Sequence, residues 1–342
     1  MIEVLELKKH DEKIWDEFVH KSNDTTFYHQ IAWKYVIKES YGFKPIYLIA
    51  EEKGEIRGIL PLFLIKSRLF GRKLISVPFA PYGGACADNM LIERCLIEES
   101  KELADKYDVE FVELRYLKNS CISLPTFTKY YTFILKLEKN PKVVWQRFSK
   151  KVRNSTRKAI KLGLEVERNK DYINEFYKIY SKNMHYLGTP THSKQFFKNV
   201  LKMFSEQTDL VVVKYKDKII AGTVLLYFKD TVISGWAGSL REYLSFCPNN
   251  LMYWEIIKDA CENGYKFFDF GRSLINSGTF KFKKAWATEP IQLKYHFYLP
   301  NSRQIPDISM QNPKRKRFAE IWRKIPYPIA NVIGPKLRKF FP

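Results

Sequence analysis

Residues 210–236, LVVVKYKDKIIAGTVLLYFKDTVISGW, decide the fold. Residues 210–215, 219–228 and 232–236 are apolar runs rich in β-branched side chains, and Lys216-Asp217-Lys218 joins the first two. They predict an antiparallel meander. Helical spacing precedes the meander at 173–186 and 194–204, and a helix at 250–263 and a short strand at 266–270 follow it. The same order occurs earlier in the chain. Helices at 14–19 and 32–39 flank a Ser22-Asn23-Asp24-Thr25 break and lead into strands at 46–51 and 56–65, joined by Glu52-Lys53-Gly54-Glu55. A strand at 74–78, a turn-rich loop Phe79-Ala80-Pro81-Tyr82-Gly83-Gly84-Ala85, a helix at 91–107 and a strand at 109–114 complete the copy. Phe111-Val112-Glu113-Leu114 matches Phe267-Phe268-Asp269-Phe270 in place and character. The expectation is an α/β (α+β) chain of two tandem modules, each a mixed, mostly antiparallel sheet flanked by helices.

Length agrees with duplication, since 342 residues exceed what one core usually serves. The expected spans are 1–140 for the first module, 141–300 for the second, and 301–342 for a basic tail. A hydrophobic fraction of 45% excludes a disordered basic protein. Net charge is +21, which points to phosphate-rich partners: nucleic acid, a nucleotide-linked sugar or an anionic membrane. Cys86, Cys95, Cys121, Cys247 and Cys261 are scattered without a CxxC pair and read as buried thiols of a reducing cytosol. Six histidines give no HExxH, and His185 and His192 are poorly spaced for a ligand pair, so no metal is expected. The N-terminus mixes charges too closely for a signal peptide, and no apolar run reaches membrane-spanning length, so the expected location is cytoplasmic.

Two segments concentrate the positive charge. Residues 142–170 hold ten Lys or Arg against two Glu, with Val144, Phe148, Val152, Thr156 and Ala159 or Ile160 at helical spacing and Gly163 as a stop. This is either a solvated helix between modules or, through Arg153, Arg157 and Lys161, a stripe that grips phosphates. Residues 311–342 hold nine Lys or Arg against one Glu, with Phe318, Ile321, Trp322 and Ile325 at helical spacing and prolines at 326, 328 and 335. That pattern suits either a membrane surface or packing against the modules. The stretch 269–299 brings chemistry together. A buried strand ends at Phe270, Gly271 and Gly278 punctuate a Ser/Asn-rich loop, and Phe280-Lys281-Phe282-Lys283-Lys284 alternates aromatic and cationic before a last strand at 292–299. The alternation reads as a solvated strand face or as the rim of a site where a lysine binds phosphate or stabilises developing negative charge.

The basic helix Lys151-Val152-Arg153-Asn154-Ser155-Thr156-Arg157-Lys158-Ala159 with Gly163-Leu164-Glu165-Val166, the Asp269-Phe270-Gly271 strand end and the Phe280-to-Lys284 run resemble the FemABX-like proteins, peptidyltransferases of the GNAT superfamily. Phe27-Tyr28-His29-Gln30 with Trp33, and Tyr82-Gly83-Gly84, add to the resemblance, which covers residues 1–300. It implies transfer of an amino acid or acyl group, usually from tRNA, to an amine of a nucleotide- or lipid-linked cell-envelope precursor or glycoconjugate. Phe282 and Lys283 map to the catalytic cleft, and Lys38, Arg153 and Arg157 to the groups that hold the precursor's phosphates. Tyr82, Arg272 and Lys281 complete the expected substrate-binding set. The long helical arm of tRNA-using staphylococcal-type members has no counterpart here. The first copy runs on into Arg115-Tyr116-Leu117 without an FKFKK equivalent, so the two modules are not equivalent.

Amine attack on an ester or thioester develops an oxyanion and a cationic nitrogen. Lys283 meets the first need, and either Asp269 or the substrate ester takes the proton. Ser273 and Ser277 lie in no G-x-S-x-G elbow and no histidine is near a cysteine in sequence, so direct transfer without a covalent enzyme intermediate is expected. No bound cofactor is expected, the co-substrate being aminoacyl-tRNA or acyl-CoA. Neither Ala80-to-Asp88 nor Gly238-to-Tyr243 has the Q/R-x-x-G-x-G/A pyrophosphate loop of ordinary acetyl-CoA-using GNAT proteins. Expected partners are the phosphate-bearing precursor, tRNA, and an anionic membrane at the inner face through the tail. The rival readings are a non-catalytic RNA-binding protein and a membrane-surface scaffold of a polysaccharide-assembly system.

Overall fold

A computed structural model describes residues 1–67, 71–117, 120, 122–301, 304–309 and 311–342. Cys121 lies outside the described residues. The chain divides into two compact units. The first comprises Met1–Tyr130, Gln292–Ile308 and Pro342, and the second Tyr131–Ile291 and Ser309–Phe341.

In the first unit, β1 (Ile2–Glu6), β2 (Lys44–Glu52), β3 (Glu55–Ser67) and β4 (Gly71–Ser76) run antiparallel, and β6 (Phe111–Tyr116) joins β4 in parallel. β16 (Lys294–Tyr298) and β7 (Thr126–Phe127) complete the order β1-β2-β3-β4-β6-β16-β7, with β5 (Cys86–Ala87) paired on β3. Helices α1 (Glu12–Lys21), α2 (Ile31–Tyr41) and α3 (Met90–Tyr107) flank the sheet. α3 begins where the Asn89 side chain accepts from the amides of Leu91 and Ile92, which satisfies two donors that the first turn leaves open. Its Ile92, Leu96, Ile97 and Leu103 are buried with Leu48, Leu60 and Val112 of the strands.

The second unit repeats this plan. β9 (Leu164–Arg168), β10 (Thr208–Tyr215), β11 (Lys218–Phe228) and β12 (Thr231–Ser239) run antiparallel, β13 (Phe267–Asp269) joins β12 in parallel, and β8 (Tyr130–Lys136) is antiparallel to β13. β14 (Ser273–Leu274) and β15 (Glu289–Gln292) attach to β8. α4 (Pro141–Arg147), α5 (Lys150–Lys161) and α8 (Pro248–Glu262) share one core with the strands through Val144, Val152, Met252, Ile256 and Phe268, and α9 (Gly278–Lys284) packs against it through Phe280 and Phe282. α6 (Ile173–Tyr186) packs on β11 and β12 and on α7 (Lys194–Met203). Two mixed, mostly antiparallel sheets with flanking helices are thus present among the described residues, as the repeat predicts.

The structure corrects three expectations. Boundaries at 140 and 300 do not follow the units, because the late strand β16 pairs with β6 of the first sheet, while β8, which precedes the second meander, takes the equivalent place beside β13. The basic segment is two helices, not one. The chain breaks at Phe148, and the Ser149 hydroxyl accepts the Val152 amide to start α5, which Gly163 ends with φ +73°. The Phe280-to-Lys284 run is helical rather than extended.

The tail forms α10 (Pro313–Lys324) and α11 (Tyr327–Arg338), both in the second unit. Trp322 and Ala330 are buried, Arg323 donates to the carbonyls of Tyr186 and Leu187 at the end of α6, and Arg338 donates to His192 Nε2 at 3.3 Å. Packing against the module therefore accounts for the tail's inner face. No helix among the described residues is long and apolar enough to cross a membrane.

Candidate active site

Lys283 is placed by α9. The helix starts where the Ser277 hydroxyl accepts the Phe280 amide at 3.1 Å. Its two turns then sort the alternating residues by side. Phe280 packs edge-on to Phe133 at 4.9 Å, Phe282 lies 6.0 Å from both Tyr253 and Trp286, and Lys281 and Lys284 are exposed. Lys283 turns inward and donates from Nζ to the carbonyls of Gly271 at 2.8 Å and Arg272 at 3.1 Å. An ammonium carries three N–H donors, so one remains for a bound group. Burial lowers its pKa to about 8, with the Asp269 carboxylate pulling back up and the Arg272 charge adding to the fall.

Those two carbonyls are aimed by the turn that ends β13. Asp269 is fully buried, and its Oδ1 accepts from the Thr132 hydroxyl at 2.6 Å and the Gly271 amide at 2.7 Å. Gly271 has φ +74°, and a Cβ there would stand 3.1 Å from the Ser234 carbonyl, so both conformation and space call for glycine. Pairing of β12 with β13 stops at Ile233, where the chain enters this turn. Thr132 lies on β8, a strand that reading by repeat order passes over because it falls between the copies. Its signal was local, since Tyr130-Tyr131-Thr132-Phe133-Ile134 is aromatic and β-branched throughout.

Asp269, Arg272, Phe282 and Lys283 are thus brought together, with Lys281 on the outer side of the same helix. Arg153 and Arg157 make their contacts within the α4–α5 region: Arg153 donates to the Gln146 carbonyl at 3.2 Å, and Arg157 donates to Asn154 at 3.3 Å and lies 5.7 Å from the Trp145 ring centroid. The start of α5 is tied to the end of α9, since the Ser149 amide donates to the Ala285 carbonyl. Lys38 and Tyr82 belong to the first unit. Lys38 is exposed on α2, and the Tyr82 ring is buried edge-on to Tyr28 at 5.7 Å.

The structure also corrects the reading of the cysteines. Cys86 and Cys261 are buried, but Cys95 and Cys247 are half-buried. Cys86 Sγ lies 3.5 Å from His29 Nε2 despite their distance in sequence. The pair is not a nucleophilic dyad. The Thr26 amide donates to His29 Nδ1 at 2.9 Å, so the neutral ring carries its proton on Nε2, which donates to the Gly84 carbonyl at 2.9 Å. No lone pair faces the thiol. Among the described residues, no group of His, Cys, Asp or Glu is arranged to hold a metal ion.

Residues 146–284 match the family described as acetyltransferase (GNAT) domain, a span that contains α5, the meander, α8 and Lys283. A 90-residue stretch is 29% identical to the lipid II:glycine glycyltransferase of Staphylococcus haemolyticus, over 24% of this chain and 22% of that protein's length. The chain therefore spans about a fifth of that curated relative. FemX in its crystal structure superposes with a TM-score of 0.66 at 16% identity, covering 87% of this chain and 98% of FemX. A tandem GNAT protein from the clavulanic acid biosynthesis pathway superposes with a TM-score of 0.55 at 8% identity, covering 89% of this chain and all of that one (100%). The stretch that matches the acetyltransferase (GNAT) domain lies within the second unit, and the chain has the fold of a tandem GNAT protein.

Proposed function

We propose that this protein is an aminoacyl- or acyltransferase that attaches an amino acid or acyl group to an amine of a cell-envelope precursor, nucleotide- or lipid-linked. The carrying observation is Lys283, an ammonium held on two backbone carbonyls with its third donor uncommitted. As the acceptor amine attacks the donor's carbonyl carbon, the C=O electron pair moves onto oxygen, and the third N–H of Lys283 meets that charge. Collapse of the intermediate breaks the bond to the leaving oxygen or sulfur. Asp269 is fully buried and already accepts two hydrogen bonds, so its part is to hold the turn and keep Lys283 charged. The proton lost by the amine passes to the leaving group. No enzyme nucleophile enters, and the transfer is direct.

The partial match to a lipid II:glycine glycyltransferase supports a lipid-linked acceptor and an aminoacyl donor. The donor is an activated ester or thioester, charged tRNA or acyl-CoA. Pro248 at the start of α8 withholds an amide where ordinary GNAT helices offer one to pyrophosphate, which counts against ordinary acetyl-CoA binding there. The enzyme then works in the cytoplasm at the inner membrane face. Transfer of labelled amino acid from charged tRNA, or of labelled acyl from acyl-CoA, to a nucleotide- or lipid-linked precursor tests the reading. Turnover with neither donor overturns it, as does a stable acylated enzyme.

A further inference from the structure

The tail helices are apolar on two sides, and their own chain fills only one. In α11, Ala330 and Gly334 are buried, whereas Ile329 and Val332 are 53% and 66% exposed. At 100° per residue these two share the opposite face with exposed Lys336. α10 repeats the arrangement. Ala319 and Trp322 turn inward, and Ile321 is 55% exposed between exposed Arg317 and Lys324, four residues before it and three after. A helix that keeps an exposed apolar face opposite its packed side presents that face to a second apolar neighbour.

Charge selects that neighbour. Residues 311–342 carry nine Lys or Arg against one Glu. A second copy would bring the same charge to the same face and be repelled. RNA would satisfy the charge but offers no medium for exposed isoleucine and valine. An anionic lipid surface offers both, since branched side chains enter the acyl boundary while lysine stems reach up to the phosphates. Each helix has 12 residues, about 18 Å, too short to span a hydrocarbon core.

We propose that α10 and α11 lie flat on an anionic membrane, inserting Ile321, Ile329 and Val332 between a collar of Arg317, Lys324 and Lys336. This goes beyond the transfer reaction by naming the surface that brings the protein to a lipid-borne substrate, and binding is read without turnover, so the two readings fail separately.

The test is co-sedimentation of the full chain with vesicles of phosphatidylcholine alone or mixed with phosphatidylglycerol. The mixed vesicles are expected to bind it, and added salt to weaken binding. The pair Ile329→Asp and Val332→Asp is expected to lower the partition constant about tenfold or more, with melting temperature unchanged. Ile329→Ser with Val332→Ser serves if the acidic pair disturbs folding. Lys324→Glu with Lys336→Glu should flatten the salt dependence. Absence of binding to mixed vesicles, equal binding by the variants, or a concentration-dependent dimer or an RNA complex lost in the apolar variants would each overturn the proposal.

Discussion

Replacing Lys283 by Met tests the site through two independent readouts. Met keeps the side chain's length and apolar stem and removes the charge. The transition state loses one preorganised cationic donor, for which kcat/KM is expected to fall by about 10² to 10³, or roughly 3 to 4 kcal/mol, with most of the loss in kcat. Stability moves separately. An ordinary lysine titrates near 10.5 and Lys283 at about 8, a difference worth about 3 kcal/mol at about 1.4 kcal/mol per pH unit. Between those values the unfolded chain keeps a proton that the folded chain has released, so wild-type stability rises with pH across that window. Urea titrations of both proteins should show the wild-type free energy of unfolding gaining about 2 kcal/mol on the variant's from about pH 7 to about 9.5. Activity should also decline above about pH 8 in the wild type as the ammonium is lost. A variant with near wild-type kcat/KM would falsify the catalytic role, and a free-energy difference that ignores pH would refute the buried ammonium.

Asp269→Asn removes the carboxylate that holds the Lys283 pKa up, so the alkaline limb of the pH–rate profile is expected to move below about 8; a limb that stays in place contradicts the coupling. Gly271→Ala must adopt φ +74° and crowd the Ser234 carbonyl, a cost of about 1 to 2 kcal/mol by denaturant titration, with turnover reduced because the Gly271 carbonyl anchors Lys283. Arg157→Ala separates its two roles: a phosphate-gripping arginine predicts a raised KM for nucleotide-linked acceptor, kcat unchanged and a shallower salt dependence, whereas a purely local contact with Trp145 and Asn154 predicts no change in KM.

Regular elements were legible because their signals are local. The meander read from residues 210–236 falls within β10, β11 and β12, and the helix expected at 173–186 is α6 (Ile173–Tyr186). Which sheet a strand joins is a long-range fact, and there the reading of residues 292–299 went astray. Tyr295, His296 and Phe297 are all buried, so both faces of the strand's centre are covered, and nothing in that run names β6 as the partner. Phe280-Lys281-Phe282-Lys283-Lys284 misled for the opposite reason. Five residues are too few to separate a period of 2 from one of 3.6, and the deciding feature, the Ser277 cap, lies just outside the run. Lys283 itself was found by resemblance; its anchoring on Gly271 and Arg272, and the part of Thr132, required the fold.

Register explains why the second unit and not the first presents a lysine. Asp269 pairs with Ile233 on the parallel side and Ile134 on the antiparallel side; Glu113 pairs in the same way with Ile75 and Phe297. The two carboxylates therefore occupy one position of a duplicated design, and both are buried. They differ in what neutralises them. Two residues after Glu113 stands Arg115, only 1% exposed, whose Nε reaches Glu113 Oε1 at 2.7 Å and whose Nη1 reaches the Ala80 carbonyl at 2.9 Å. That cation is engaged in fixing its own strand end, with Nη2 donating in addition to the Pro342 carbonyl at 3.3 Å. Two residues after Asp269 stands Gly271, which has no side chain and turns the backbone instead, leaving the neighbouring cation to come from α9. A lysine from a separate helix brings three donors to a turn that uses two. The substitution of arginine by glycine at one register position thus accompanies the change from a closed ion pair in the first unit to an ammonium with a donor left for substrate in the second.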